Sequence, residues 1–386
     1  VLFHQILACA TRKQPETIAR IQRLVECESP SDQPAMVDRF SEMLASEMAA
    51  FAKVRFYRGG SYGRHLSAEM QLPGRAPKGR VLVLGHGDTV WPAGTLSSMP
   101  FRRAHGRLWG PGVLDMKGGI AIFLAAVECL RELDVPVRHR FTLQVNSDEE
   151  VGSHSSRTLT EKQAARSLAV LVLEPGTGLS GKLKTARKGV GDYRVTVHGK
   201  PSHAGVDFEA GASAVLELAR QISKIAEFTN LPRGITVNPG VVAGGTRSNV
   251  IAAEASVHVD IRVARLRDAA PLDRKLRGLK PVDRRCRLEV SGGLNRPPME
   301  RTPAITRLFA IAKVHAQKCG IALEDSMTGG GSDGNFTAAL AVPTLDGLGV
   351  VGEGAHAANE SILVDRIADR TALLAMLLAS ELDVRE

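Results

Sequence analysis

Histidine and acidic residues collect in this chain where short apolar runs end. "RVLVLG" (80–85) is followed by His86 and Asp88, and "LWGPGVL" by Asp115. "RFTLQVN" (140–146) is followed by Asp148, Glu149 and Glu150, "LAVLVLE" (168–174) ends on Glu174, and "GEGAHAANE" carries His356. Singly, each has an ordinary explanation: a strand-end carboxylate caps a helix or forms a turn, a lone histidine is structural, and adjacent glutamates form a solvated face. Together they are the imidazole and carboxylate donors expected of zinc in a hydrolytic site. The thiolate alternative is missing, because Cys9, Cys27, Cys129, Cys286 and Cys319 are scattered and form no Cys-x-x-Cys pair. Carboxylates converging on one cleft repel strongly without cations. Two divalent ions, about 3.5–4 Å apart across a bridging carboxylate, would neutralise them.

The elements that must position these residues are legible in the apolar pattern. Between the runs at 80–85 and 140–146 lies "GGIAIFLAAVECLREL" (118–133), where Ile120, Phe123, Leu124, Val127 and Leu130 recur at helical spacing. Strand, helix, strand predicts an α/β sheet with helices on its faces, and such sheets place their sites at strand ends. Beyond about residue 188 the pattern changes. "DYRVTVHG" and "ASVHVDIRVAR" alternate strictly, with Val257, Val259, Ile261 and Val263 on one face and Ser256, His258, Asp260 and Arg262 on the other. That predicts a half-exposed antiparallel sheet, with "GASAVLELARQISKIAEF" as its helix. "RPPMERTP" (296–303) reads as a connection, Thr302 capping a helix that opens at Pro303. The expected fold is a mixed α/β sheet flanked by helices, built from 1–188 and 301–386, with an α+β insertion at 189–300.

With 386 residues the chain is long enough for two domains. Hydrophobic residues at 44% and charged residues at 24% are ordinary for a soluble globular protein, and no apolar run reaches the length of a membrane span. The N-terminal "ILAC" patch reads as part of an amphipathic helix with Ile6, Leu7, Ile18, Ile21 and Leu24 on one side. A lipoprotein-type signal would need a basic segment before it. The net charge of +9 raises nucleic acid as a partner, but the cations are dispersed and aromatics are only 4%, leaving few stacking platforms. Solvated basic faces account for the charge. Unpaired cysteines point to a cytoplasmic location, with the periplasm as the alternative if a signal has been removed.

"GHGDTV", "GPGVLDMKGG", "SDEEVGS", "LEPG", "GKPSHAG", "GGTRSNVI" and "GGGSDGNF" occur in the order and spacing of a known group. From "LVECESPS" to the last helix, the chain resembles the co-catalytic zinc exopeptidase and amidohydrolase superfamily. That group includes glutamate carboxypeptidase, succinyl-diaminopimelate desuccinylase, acetylornithine deacetylase and aminoacylase, and the glutamate carboxypeptidase branch resembles it most. The resemblance implies that His86 and Glu174 bind one zinc, Glu150 and His356 the other, and that Asp115 bridges them. It makes Asp88 the orienter of the His86 ring and Glu149 the general base. It makes the insertion a lid through which the protein forms a homodimer, with His203 stabilising an oxyanion in the partner's site; from the residues alone, a turn position at the end of "VTVHGKP" is an equal reading of His203. Asn249 and Arg262 resemble positions that grip a substrate carboxylate; Gly330 could offer a backbone donor to substrate, with a flexible turn as an equal reading.

Two departures stand out. Met116 follows the bridging aspartate, where many relatives have a second acid, and Arg247 occupies a place often filled by a small residue. The expected activity is hydrolysis of an amide bond beside a free carboxylate, releasing C-terminal glutamate from peptides or N-acyl-glutamates. The alternatives are a general N-acyl-amino-acid deacylase or dipeptidase, and a catalytically silent peptide-binding relative, which would ordinarily have lost a ligand or the base. Zinc is the expected metal, and cobalt or manganese would suit the same donors.

Overall fold

Strand Arg80–His86 lies inside a six-stranded sheet whose order is Ala52–Arg58, Arg64–Met70, Arg140–Asn146, Arg80–His86, Ala169–Val172 and Thr344–Leu345. The first three strands pair antiparallel, and the remaining pairings are parallel. This computed structural model describes residues 2–74, 77–318 and 320–384. Val81 and Val83 enter the main core, while Leu82 and Leu84 join Ala164, Val170 and Val172 on the opposite face. A strand buried on both faces needs the near-continuous apolar run seen in the sequence. Each such side chain contributes about 1.5–3 kcal/mol when fully removed from water.

Helix Gly118–Glu132 is buried almost all round. It packs against Leu2–Glu26 and Ile367–Leu378, which also pack on each other. In the first of these, Ile6, Ile21 and Leu24 are wholly buried, and Leu7 and Ile18 pack partly against the same core. Gly119 is required where the central helix begins, since a Cβ there would fall 2.1 Å from the Leu173 carbonyl oxygen. A Cβ on Gly349 would fall 2.2 Å from the same oxygen. These two glycines let backbone close in on the strand end that leads to Glu174.

The chain divides into two compact units. One holds the described residues up to Ala186, Arg301–Thr328 and the chain from Ser332 on; the other holds Arg187–Glu300 with Gly329–Gly331. Gly330, outside the 189–300 segment in sequence, therefore belongs with the second unit. In the first unit a small sheet runs Gly352–Glu353, Ser361–Leu363, Arg107–Trp109, Arg102–Ala104. Its Ser361–Trp109 and Ile362–Leu108 pairs bring the segment after His356 beside the one before Asp115. Thr302 caps helix Pro303–Lys318, its Oγ1 accepting from Ile305 N at 3.3 Å.

The second unit is an antiparallel sheet in the order Thr236–Gly244, Glu254–Val263, Gly189–His198, Arg287–Arg296. Helices Ala214–Ala226 and Ala269–Arg277 supply the rest of its own core. Val257, Val259, Ile261 and Val263 are buried and His258 is exposed, as the alternation requires. Ser256 departs from it, only 5% exposed on the polar face, because Arg194 lies across it with Nη2 3.4 Å from its hydroxyl. Among the described residues Cys9, Cys27, Cys129 and Cys286 are free thiols; Cys319 lies outside those residues. No described helix is long and apolar enough to cross a membrane.

Candidate metal centre

Parallel pairing brings the site residues to one edge of the main sheet. His86 ends its strand opposite Asn146, so Glu149 and Glu150 follow three and four residues later on the neighbour. On the other side Leu84 is opposite Val172, which sets Glu174 level with His86. Asp115 lies in the turn Val113–Lys117 that opens the central helix, with φ −117° and ψ 94°, and its peptide bond to Met116 is cis. His356 has φ 61°, the left-handed region that histidine enters more readily than most residues.

These five loops converge. His86 Nε2 is 3.0 Å from Asp115 Oδ1 and 3.6 Å from Glu174 Oε1. His356 Nε2 is 3.3 Å from Asp115 Oδ2 and 3.3 Å from Glu150 Oε2. The result is two half-sites, each with one imidazole and one glutamate, sharing Asp115 through its two oxygens. Ligands about 2.0–2.1 Å from a tetrahedral zinc lie roughly 3.3 Å from one another. The observed separations of 3.0–3.6 Å are compatible with donors grouped round a small cation, and equally with imidazole–carboxylate hydrogen bonds. Glu149 joins the first half-site, with donor atoms of His86, Glu149 and Glu174 all within 4.8 Å of one another.

The electrostatics follow from three carboxylates, Glu174 buried and Asp115 and Glu150 partly so, around two imidazoles. Burial pushes the His86 ring down, but hydrogen bonds to Asp115, Asp88 and Glu174 raise its pKa well above the ordinary value. His356 is raised to about 10 by hydrogen bonds to Asp115 and Glu150. Burial pushes Asp115 up, yet the two histidines hold it far below the usual carboxylate range. Glu150 is raised by burial, with repulsion from Asp115 adding to it. The cluster thus attracts positive charge, which protons or metal ions can supply.

Asp88 acts through its main chain as well as its carboxylate. His86 Nδ1 is 3.0 Å from the Asp88 carbonyl and 3.5 Å from its carboxylate. A carbonyl only accepts, so Nδ1 carries a proton and Nε2 is the nitrogen turned toward Asp115. The Asp88 carboxylate meanwhile accepts from Glu149 N at 3.2 Å, Glu150 N at 3.1 Å and Ser31 Oγ at 2.8 Å. It fixes the segment bearing both glutamates. Asp148 faces away into a turn, accepting from Ser155 N and Oγ and from Ser156 N. Sequence reasoning missed Ser31 and the buried Glu360, whose carboxylate accepts from Asp115 N. Nothing in "ESPS" or "AANE" separates them from surface polar residues until burial is known.

The other candidate residues lie in the second unit. His203 and Asn249 are neighbours: His203 bridges Val250, and Ala204 N donates to the Asn249 carbonyl at 2.9 Å. Both side chains are exposed. His203 Nδ1 accepts from Gly205 N at 3.1 Å. Arg262 is engaged within its own unit, with Nε and Nη2 on both oxygens of Asp260 at 2.7–3.1 Å and Nη1 on the Gly329 carbonyl at 3.2 Å. The Gly330 carbonyl accepts from Arg187 Nη1 at 3.1 Å.

The profile of Peptidase family M20/M25/M40 matches residues 82–380, and the chain belongs to this family of metallopeptidases. Carboxypeptidase G2 of Pseudomonas sp. (strain RS-16) is 28% identical over 359 residues, covering 91% of this chain and 85% of that protein. Succinyl-diaminopimelate desuccinylase of Paracoccus denitrificans (strain Pd 1222) is 29% identical over 302 residues, covering 73% and 78%. The fold is shared with the YXEP protein of Bacillus subtilis, described as a dinuclear metal binding peptidase from the M20 family. The TM-score is 0.67 at 14% identity, over 96% of this chain and 98% of that one.

Proposed function

We propose that the chain is a dizinc hydrolase that cuts an amide bond beside a free carboxylate and releases C-terminal glutamate. The observation that carries the metal assignment is Asp115, with Oδ1 facing His86 and Oδ2 facing His356. His86 and Glu174 would complete one half-site, and Glu150 and His356 the other. Bound there, two divalent cations would act as Lewis acids toward the scissile carbonyl and acidify the attacking water. Cobalt or manganese suits the same donors.

Glu149 is the carboxylate left over once each half-site has its glutamate. It lies beside the His86 half-site and is held by its own N–H on Asp88. Its role is general base: it takes a proton from water and returns it to the leaving amine. His203 is proposed to stabilise the oxyanion in a second copy's site, the insertion serving as lid and dimer contact. With Nδ1 accepting from Gly205, the ring's proton is on Nε2, an exposed donor suited to that work. Asn249, Arg262 and Gly330 would hold the substrate. Arg262 can bind a substrate carboxylate only by sharing or releasing Asp260.

The similarity to carboxypeptidase G2 supports a carboxypeptidase reading, and that to the desuccinylase supports deacylation of an N-acyl amino acid. Zinc-loaded protein given an N-acyl-glutamate and its N-acyl-alanine analogue separates them. Preferential glutamate release is expected. Faster alanine release would move the assignment to a general deacylase or dipeptidase, and release of neither would leave a silent binding relative.

A further inference from the structure

Glu360 is fully buried, and both of its carboxylate oxygens are engaged. Oε2 accepts from Trp91 Nε1 at 2.8 Å and Gly112 N at 3.0 Å. Oε1 accepts from Leu114 N at 2.9 Å and Asp115 N at 3.1 Å. The Glu360 carbonyl accepts from Gly110 N at 3.4 Å. A buried carboxylate is costly unless hydrogen bonds replace its water. Four N–H donors at these distances do that, and three of them belong to the backbone that delivers Asp115.

That backbone needs the help. Gly112 is left-handed at φ 73°, and Asp115 and Met116 are non-helical within the turn that begins the central helix. N–H groups at such a point lack intrahelical acceptors, so one carboxylate gathers three of them. Glu360 also lies four residues after His356, and its own N–H donates to the Ala357 carbonyl at 2.9 Å. One side chain therefore ties the Asp115 segment to the His356 segment, the two contributors to the second half-site that come from outside the main sheet.

We propose that Glu360 is a positioning residue that sets the spacing of Asp115 and His356 and so governs cation affinity at their half-site. This rests on the dizinc reading. Groups that orient metal ligands typically affect affinity by about 10–100-fold. Glu360→Gln keeps the size but turns an amide N–H toward backbone donors. Glu360→Asp keeps the charge but withdraws it by one methylene.

The test is competition of zinc against a chromophoric chelator, with kcat, KM and thermal melting on the same samples. Both variants are expected to hold one of two zinc ions at least about tenfold more weakly, with kcat lowered, KM little changed and kcat restored by excess zinc. Wild-type zinc affinity in a folded Glu360→Gln or Glu360→Asp chain would overturn the proposal, even if the melting temperature fell. If Glu360→Gln does not fold, Glu360→Asp decides alone by the same readout. Failure of the wild-type chain to bind two zinc ions would instead overturn the dizinc reading.

Discussion

The carboxylates beside the metal cluster in the first unit and the candidate substrate residues of the second are held in different ways. In the first, Asp88, Asp148 and Glu360 are wholly buried, and each accepts from backbone N–H groups. Those donors fix the loops that bear Asp115, Glu149 and Glu150. In the second unit, His203 and Asn249 are exposed, and Arg262 is paired to a neighbour on its own strand. The difference matches what each set would have to do. Donors for a small cation must be correct to a few tenths of an ångström, which only locked backbone secures. Residues that meet a substrate can stay solvated and adjust on binding.

The largest effect should come from Asp115→Ala, because this side chain serves both half-sites. Turnover should fall to background and bound zinc to less than one ion per chain, measured by elemental analysis after dialysis. A variant that keeps both ions would break the view of a shared bridge. Glu149→Ala should sharpen it from the other side, keeping both ions while lowering kcat by at least about 10²-fold. Near-normal turnover would remove Glu149 from the role of base. In the second unit Arg262→Ala should act more gently, raising KM for an N-acyl-glutamate about tenfold with zinc content unchanged, since Asp260 already offsets part of its charge. A lost zinc ion in this variant would show that the two units do not divide the work in this way.

The smallest effect concerns pH. In the cation-free chain His356 is raised from 6.5 to about 10, so its contribution to stability is complete below about 6.5 and is lost as pH rises toward about 10. Zinc must displace that proton, so its affinity should rise with pH over the same range. Melting curves with chelator and with zinc check both signs. The chelated protein should soften as pH rises, while zinc protects it increasingly. Parallel curves would mean that His356 does not exchange its proton for metal.

Much of the candidate site was legible because the chemistry proposed for it needs particular donor types at strand ends. His86, Asp115, Glu150, Glu174 and His356 each stand beside an apolar run or a glycine-rich turn, and sheet pairing does the rest. The strand 140–146 and the helix after Gly118 also follow directly from their periods, since burial on one or two faces leaves few alternatives. Arg262 was legible as a polar-face cation but not as the partner of Asp260. Spacing puts the two on one face of their strand, and whether they pair then depends on rotamers.

The sequence by itself offered the imidazole and carboxylate candidates, several of the strands and helices, and a change of pattern after about residue 188. Only the tertiary structure decided that Asp115 turns one oxygen to each histidine and that Asp88 orients His86 through its carbonyl. It also decided that Glu360 is buried under the Asp115 turn. Patterns of period 2 and 3.6 record burial along one element. These contacts join segments as far as 248 residues apart, and no local pattern encodes which orphan N–H groups a distant carboxylate will meet.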